Sequence, residues 1–287
     1  MIFPFGQDAQ IGVVAPSGVV DPVKLEKGMA VLRAAGWDVA VDTAVGDAMG
    51  YLAGSEAVRR ASLLRMAQAR PGLLVTARGG YGAMRLLAEL TDEELLELPP
   101  LMGFSDTTAF LVRLVGLGRR VVHGPTVQGL AMACPETLDA LEGLFRSGVR
   151  PDPLGDAWGF LVAGDAEGVL TGGNLATLAH LCGTPFQPDF SGCVLALEDV
   201  HEAPYRLDRA LTQMRLSGAF DGVQGVLVGE FLHCGEKGAP EAVLRDVFAP
   251  LGVPVVTGGR FGHGPTNFPL VFGEQVVLSS ESGFRYV

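Results

Sequence analysis

The sequence predicts an α/β protein whose first half is a parallel sheet with helices on both faces. Two observations carry this. Short apolar runs alternate with helical segments from Ile11 to Leu117, and glycine, 40 of 287 residues, gathers at a few junctions between them. In chain order, Ile11–Ala15 reads as a buried strand closed by Pro16-Ser-Gly18. Asp21 caps the helix that follows, Pro22 opens it, Leu25, Met29 and Leu32 share one face, and Gly36 stops it. Residues 37–41 form a second strand and 55–69 a second helix. Leu73–Ala77 is a third strand that runs into Arg78-Gly-Gly-Tyr-Gly82, and Thr91-x-x-Glu94 is a capping box. Leu101–Phe104 is a fourth strand, followed at once by Ser105-Asp-Thr-Thr and an apolar helix over 109–117.

The second half is patterned less regularly. Arg150-Pro-Asp-Pro-Leu-Gly155 is a proline-rich break, which suggests an N-terminal domain over 1–150, a linker over 151–165 and a C-terminal domain over 166–287. Strands are expected at 168–170, 194–197, 225–228 and 253–256, helices around 204–214 and 240–248, and a β-like tail after Leu270. Pattern alone does not order these elements.

Acidic residues outnumber basic ones by 32 to 21, for a net charge of −11. That field repels nucleic acid and anionic membranes, and no cluster of Lys or Arg offsets it locally. No apolar run approaches the ~18 residues of a membrane span. Residues 1–8 have neither the charged nor the apolar region of a secretory signal. Cys134, Cys182, Cys193 and Cys234 are widely spaced, without a C-x-x-C pair, as expected for reduced thiols in the cytoplasm. The five histidines include no H-x-x-x-H or H-E-x-x-H pair, so neither a metal nor any other cofactor is expected.

Gly103-Phe-Ser105-Asp places a serine where a buried strand meets a helix, at the carboxyl edge of the sheet where α/β folds bind ligands. Amides at the start of such a helix can hold an oxyanion, so Ser105 is a candidate nucleophile; the competing reading is a helix cap. A nucleophile of this kind needs a base and an orienting carboxylate. Glu198 ends a buried strand, where solvation does not account for a carboxylate, although an ion pair with Arg206 or Arg209 would. Asp199 and Glu202 are its neighbours and rivals. His263 stands between Gly262 and Gly264, free of side-chain crowding, but the tetrapeptide His-Gly-Pro-Thr occurs at both 123–126 and 263–266, so His123 competes for the same role. Arg78-Gly-Gly-Tyr-Gly82 is either a phosphate-binding turn or half an oxyanion hole with Arg78 near a substrate carboxylate. Gly172-Gly-Asn174-Leu175 is either a tight turn or an amide presented to substrate.

Together these segments resemble the serine LD-carboxypeptidases, which include the muramoyltetrapeptide carboxypeptidases and the microcin-immunity peptidases. The likeness runs through residues 11–17, 78–82, 103–106, 172–175, 197–202, 204–209 and 262–264, nearly the whole chain. Thr171 stands where an aromatic residue is common, and His201 where glycine is frequent. The resemblance implies a Ser-Glu-His triad of Ser105, Glu198 and His263, and an oxyanion hole from the amides of Gly80 and Asp106. It also implies an N-terminal α/β sandwich joined to a smaller C-terminal α/β domain with a barrel-like sheet. The implied activity is release of the C-terminal D-alanine from cytoplasmic murein tetrapeptides by a homodimer. Arg78 and Asn174 are the candidate substrate contacts. The alternatives are cleavage of peptidyl-nucleotide antibiotics, a non-catalytic nucleotide-binding module, and a metal hydrolase.

Overall fold

The first half of the chain builds one twisted sheet. In the computed structural model, which describes residues 9–287, this sheet has six strands. They are β1 (Ile11–Val14), β2 (Val39–Val41), β3 (Leu73–Thr76), β4 (Leu101–Gly103), β5 (Val121–His123) and β11 (Leu270–Phe272), in the order β11-β5-β4-β3-β1-β2. β1 to β5 are mutually parallel, and β11 closes the edge antiparallel to β5. The helices on its faces are α1 (Pro22–Ala34), α2 (Glu56–Gln68), α3 (Ala83–Leu87), α4 (Asp92–Leu96), α5 (Thr108–Gly116), α6 (Val127–Leu130) and α7 (Pro135–Glu142). Their ends follow the local chemistry. Asp21 caps α1 through its side chain, Ser55 caps α2, and Thr91 and Glu94 close the capping box of α4. The reading that residues 1–8 lack a secretory signal concerns residues outside those described.

The second sheet has seven strands: β6 (Leu154–Val162), β7 (Ala166–Asn174), β8 (Cys193–Val200), β9 (Gly225–Leu232), β10 (Val255–Gly259), β12 (Gln275–Ser279) and β13 (Gly283–Tyr286). Its order is β13-β12-β7-β8-β9-β10-β6, with β7 to β10 parallel and the outer strands antiparallel. α8 (Leu175–Leu181), α9 (Pro204–Leu216) and α10 (Ala239–Phe248) complete this half. The sheet curls until its edges meet: a methyl on Gly283 of β13 would fall 2.8 Å from Leu154 and 3.1 Å from Trp158 of β6. This is the barrel-like character implied above.

Two stretches gain detail in the structure. Within 151–165 only residues 151–153 and 163–165 lie outside strands: prolines at 151 and 153 lack the amide a ladder needs, and β6 then pairs with β10. The tail after Leu270 is β as expected, and it is divided between the two sheets. β11 completes the first sheet, the chain turns at Gly273 (φ +87°), and β12 enters the second. One continuous apolar core accordingly runs from Leu74, Phe110 and Leu111 to Leu170, Leu178 and Val194. A separate cluster around Met29, Trp37 and Phe145 covers the other face of the first sheet. Among the described residues no helix is long and apolar enough to cross a membrane.

Candidate active site

Ser105 sits at the carboxyl end of β4. Phe104 is fully extended (φ −157°, ψ −170°), and Ser105 then turns into the left-handed region at φ +62° before a 3-10 turn over Ser105–Thr107 leads into α5. An L-residue holds that conformation at a cost of about 1–2 kcal/mol, and such strain collects at functional positions. The side chain caps neither the 3-10 turn nor α5, so the helix-cap reading fails.

The loop after β3 is pressed against this turn. A methyl at Gly79 would stand 2.9 Å from both Cβ and Oγ of Ser105, so only glycine allows the approach. Gly80 has φ +103°, and its neighbour across the gap is Gly18, in the turn after β1, whose amide donates to the Gly79 carbonyl at 3.1 Å. Two charged side chains lock these turns together. Asp106 is buried and accepts a 2.8 Å bond from the Ala83 amide at the start of α3. Burial raises its carboxyl above the ordinary range, although Ser17, Ala83 and Arg59 favour the charged form. Arg59, 2% exposed, donates to the carbonyls of Pro16 and Gly82. The amides of Gly80 and Asp106 donate to no acceptor among the described residues.

Glu198 and His263 come from the second half. Glu198, on β8, is completely buried, and its Oε2 lies 2.7 Å from Nδ1 of His263. It makes no pair with Arg206 or Arg209; Arg206 faces Glu202 instead, at 3.5 Å. The rival Asp199 is committed elsewhere: it accepts from the Asn174 side chain at 3.0 Å and from the amides of Ala176 and Val200, and burial, then the charge of Glu198, push its carboxyl up to about 6. His263 has a side chain 19% exposed. Burial opposes its charging, but the hydrogen bond and charge of Glu198, with Asp199 and Glu230 adding, hold it above its ordinary value. Phe104, the residue before Ser105, packs on its ring at 4.7 Å between centroids. His263 borders a cleft of about 260 Å³ with Phe104, Pro125, Met132, Leu232 and Pro265. No hydrogen bond joins His263 to Ser105.

His123 is separated from its rival by burial. It has no exposed surface, lies among Phe104, Phe261 and Phe272, leaves both ring nitrogens without partners, and is pushed down to about 4 chiefly by desolvation. A neutral ring sealed from the cleft cannot take a proton from substrate-facing groups.

Asn174 departs from the expectation of a substrate contact. Its carbonyl oxygen caps α8 by accepting from Thr177 at 3.0 Å, its amide nitrogen serves Asp199, and its backbone N–H donates to Thr108 Oγ1 at 3.1 Å. These bonds spend it on the wall of the site. Arg78 donates to the Val19 carbonyl at 2.7 Å and makes no ion pair among the described residues. Sequence reasoning missed Arg59 and Glu230. Glu230 had the same signature as Glu198, a carboxylate at the end of a buried run; Arg59 gave no signal in a polar helix.

Comparison with known proteins decides the family. The LD-carboxypeptidase N-terminal domain matches residues 11–124, and the LD-carboxypeptidase C-terminal domain matches 167–278. The chain belongs to the LD-carboxypeptidase family. This carboxypeptidase is 37% identical to a putative carboxypeptidase of Synechocystis, over 98% of this chain and 94% of the other. It is 30% identical to the murein tetrapeptide carboxypeptidase of Pseudomonas aeruginosa, over 94% and 93%. Among solved structures, the muramoyltetrapeptide carboxypeptidase of Oxalobacter formigenes is similar at a TM-score of 0.80 with 29% identity, covering 96% of each chain. The microcin immunity protein MccF, with glutamyl sulfamoyl guanosine, shares the fold at a TM-score of 0.87 with 20% identity, over 99% and 97%.

Proposed function

We propose that this carboxypeptidase is a serine enzyme that hydrolyses the L,D-peptide bond before the C-terminal D-alanine of murein tetrapeptides in the cytoplasm. The observation that carries the reading is the fully buried Glu198 carboxylate, 2.7 Å from His263 Nδ1, with the imidazole packed on the residue preceding a strained, uncapped Ser105. In this mechanism His263 Nε2 removes the Ser105 proton as Oγ attacks the scissile carbonyl carbon, and Glu198 fixes the tautomer and stabilises the imidazolium. The unpaired amides of Gly80 and Asp106 receive the oxyanion, each such donor contributing about 3–4 kcal/mol in comparable sites. His263 then passes its proton to the leaving amine of D-alanine. A water, deprotonated by the same imidazole, attacks the acyl-enzyme and restores Ser105. Arg78, lacking an ion-pair partner in a chain of net charge −11, is the cation for the substrate's terminal carboxylate.

Residues 1–150 then supply the nucleophile, and the later residues the base and its carboxylate, across the junction of two domains. The test is incubation with L-Ala-γ-D-Glu-diaminopimelyl-D-Ala and mass detection of D-alanine, with a dipeptidyl-adenylate in competition and EDTA in a parallel arm. D-alanine release unaffected by EDTA is the expected result. Cleavage of the adenylate alone would transfer the protein to the peptidyl-nucleotide reading, and loss of activity in EDTA would overturn the metal-free mechanism. Sedimentation tests the implied homodimer.

A further inference from the structure

Two glutamates, not one, flank the loop that carries His263. The register between β8 and β9 slips at this point: Leu197 pairs with Val228 and Asp199 with Phe231, so Gly229 and Glu230 together stand opposite Glu198. Such an irregularity re-aims side chains, and here it brings a second carboxylate to the same strand ends. The loop is laid directly on Glu230. The Glu230 amide donates to the Phe261 carbonyl at 2.9 Å, a methyl at Gly262 would lie 3.3 Å from Glu230 Cβ, and one at Gly264 would fall 1.9 Å from Oε2. The glycines on both sides of His263 are therefore dictated by Glu230 as much as by the imidazole. Oε2 is buried and lacks a hydrogen-bond partner, an arrangement that costs about 1–3 kcal/mol unless something nearby offsets it.

We propose that Glu230 is a positioning residue for His263, seating the Gly262–Gly264 loop and placing a further negative charge beside the imidazole. The inference rests on His263 being the base. In the resting chain the half-buried carboxylate is held above its ordinary pKa by desolvation and by the charge of Glu198, against the pull of the Gly264 amide and of His263. When His263 takes the serine proton, the imidazolium supplies the counter-charge that Glu230 lacks, so charge separation in the transition state is favoured by both carboxylates. The groups acting on His263 are Glu198 and Asp199 from β8, Glu230 from β9, and the neutral His123 from β5.

Glu230→Gln keeps the side chain's size and removes its charge. The expected result is a fall in the His263 titration midpoint, followed by NMR of the ring protons, of about half a pH unit or more. The acid limb of kcat/KM should move down equally, with kcat several-fold lower and KM within about twofold. Glu230→Asp, which restores the charge on a shorter arm, should recover the titration in part, and it carries the same readout should the glutamine variant fail to fold. An unchanged His263 titration and acid limb in these variants would overturn the proposal, because a purely structural Glu230 would alter melting alone. The NMR arm needs no substrate. A shifted titration without D-alanine release in the wild type would refute the proposed reaction and leave the pairing of Glu230 with His263 standing.

Discussion

Replacing Glu198 by glutamine tests the proposed triad at its most buried member. The wild-type carboxylate is fully enclosed, 2.7 Å from Nδ1, and its other oxygen has no partner. A glutamine there has two orientations, and both fail. With its NH2 toward His263 it donates to Nδ1, which forces the proton onto Nε2, the atom that must accept from Ser105. With its oxygen toward His263 the tautomer is right, but the charge that stabilises the imidazolium is gone and the NH2 is buried without an acceptor. The corresponding loss in Ser-His-Asp enzymes is about 10⁴ in kcat, which converts to ~5.5 kcal/mol of transition-state stabilisation. The fold should suffer far less: an unpaired amide costs about 1–3 kcal/mol, partly offset by removing a buried charge, so melting shifts by a few degrees.

The pH dependence has a definite sign. In the wild type Glu198 is the main influence holding His263 above its ordinary value, so activity falls as pH drops through that raised value. In Glu198→Gln the desolvation that opposes charging is largely unmasked, and the acid limb moves to lower pH on a much lower plateau. A raised histidine pKa stabilises the fold below the ordinary imidazole value and ceases to do so as pH rises through the folded value. The melting gap between wild type and variant should therefore be widest on the acid side and narrow toward alkaline pH. D-alanine release and circular dichroism melts from about pH 5 to 9 read both quantities. Activity within tenfold of wild type and an unmoved acid limb would remove Glu198 from the mechanism.

Ser105→Ala should lose about 10⁴–10⁶ in kcat with its fold intact, whereas Ser105→Gly should be equally inactive yet melt at or above wild type, because glycine relieves the left-handed φ of +62°. His263→Ala should match Ser105→Ala in the D-alanine assay, while His123→Leu, which fills a sealed site whose ring nitrogens are unpaired, should keep kcat within tenfold; the reverse ranking would move the base to His123. Gly173→Ala must place a methyl 2.5 Å from Thr108 Oγ1 at φ +129°, so urea titration should show a loss of roughly 3 kcal/mol or more, and wild-type stability would refute the close approach.

What could be read from the sequence depended on whether one segment held the whole signal. β1, β3 and β4 are short, largely apolar runs that end at turn residues, and the caps at Asp21 and Thr91 are local chemistry, so all were legible. β11 was not: nothing in Leu270-Val-Phe272 says that it pairs with β5, some 150 residues earlier, and not with the strand that follows it. The prolines at 151 and 153 concealed β6, because a break and the start of an edge strand look alike. At the site, the residues themselves left Ser105 as cap or nucleophile and the two histidines tied. Resemblance favours His263, and burial is consistent with that proposal, since His123 has no exposed surface. Arg59 stayed invisible because its role, holding the Pro16 and Gly82 carbonyls, exists only once two distant turns meet.

A proposed triad divided between two halves of a chain is only as precise as the contact between them, and here two threonines of the first half hold the second. Thr108, three residues beyond Ser105, accepts the Asn174 amide, and Asn174 lies in register with Glu198 on the adjoining strand while bonding Asp199. Thr137 of α7 accepts the Asn267 amide, and Asn267 in turn accepts from the amide of Gly262, next to His263. The helix after Ser105 is thus tied to the strand beside Glu198, and the first half is tied to the His263 loop, through bonds of 3.0–3.2 Å among buried groups. Gly173 makes the first of these ties sterically feasible, and the shared core behind α5 and β7 gives it rigidity. Two independent anchors, one reaching Asp199 through Asn174 and one reaching Gly262 through Asn267, hold the neighbours of residues 93 and 158 positions beyond Ser105 against the first half of the chain. Separating the halves would dissolve the core and the site together.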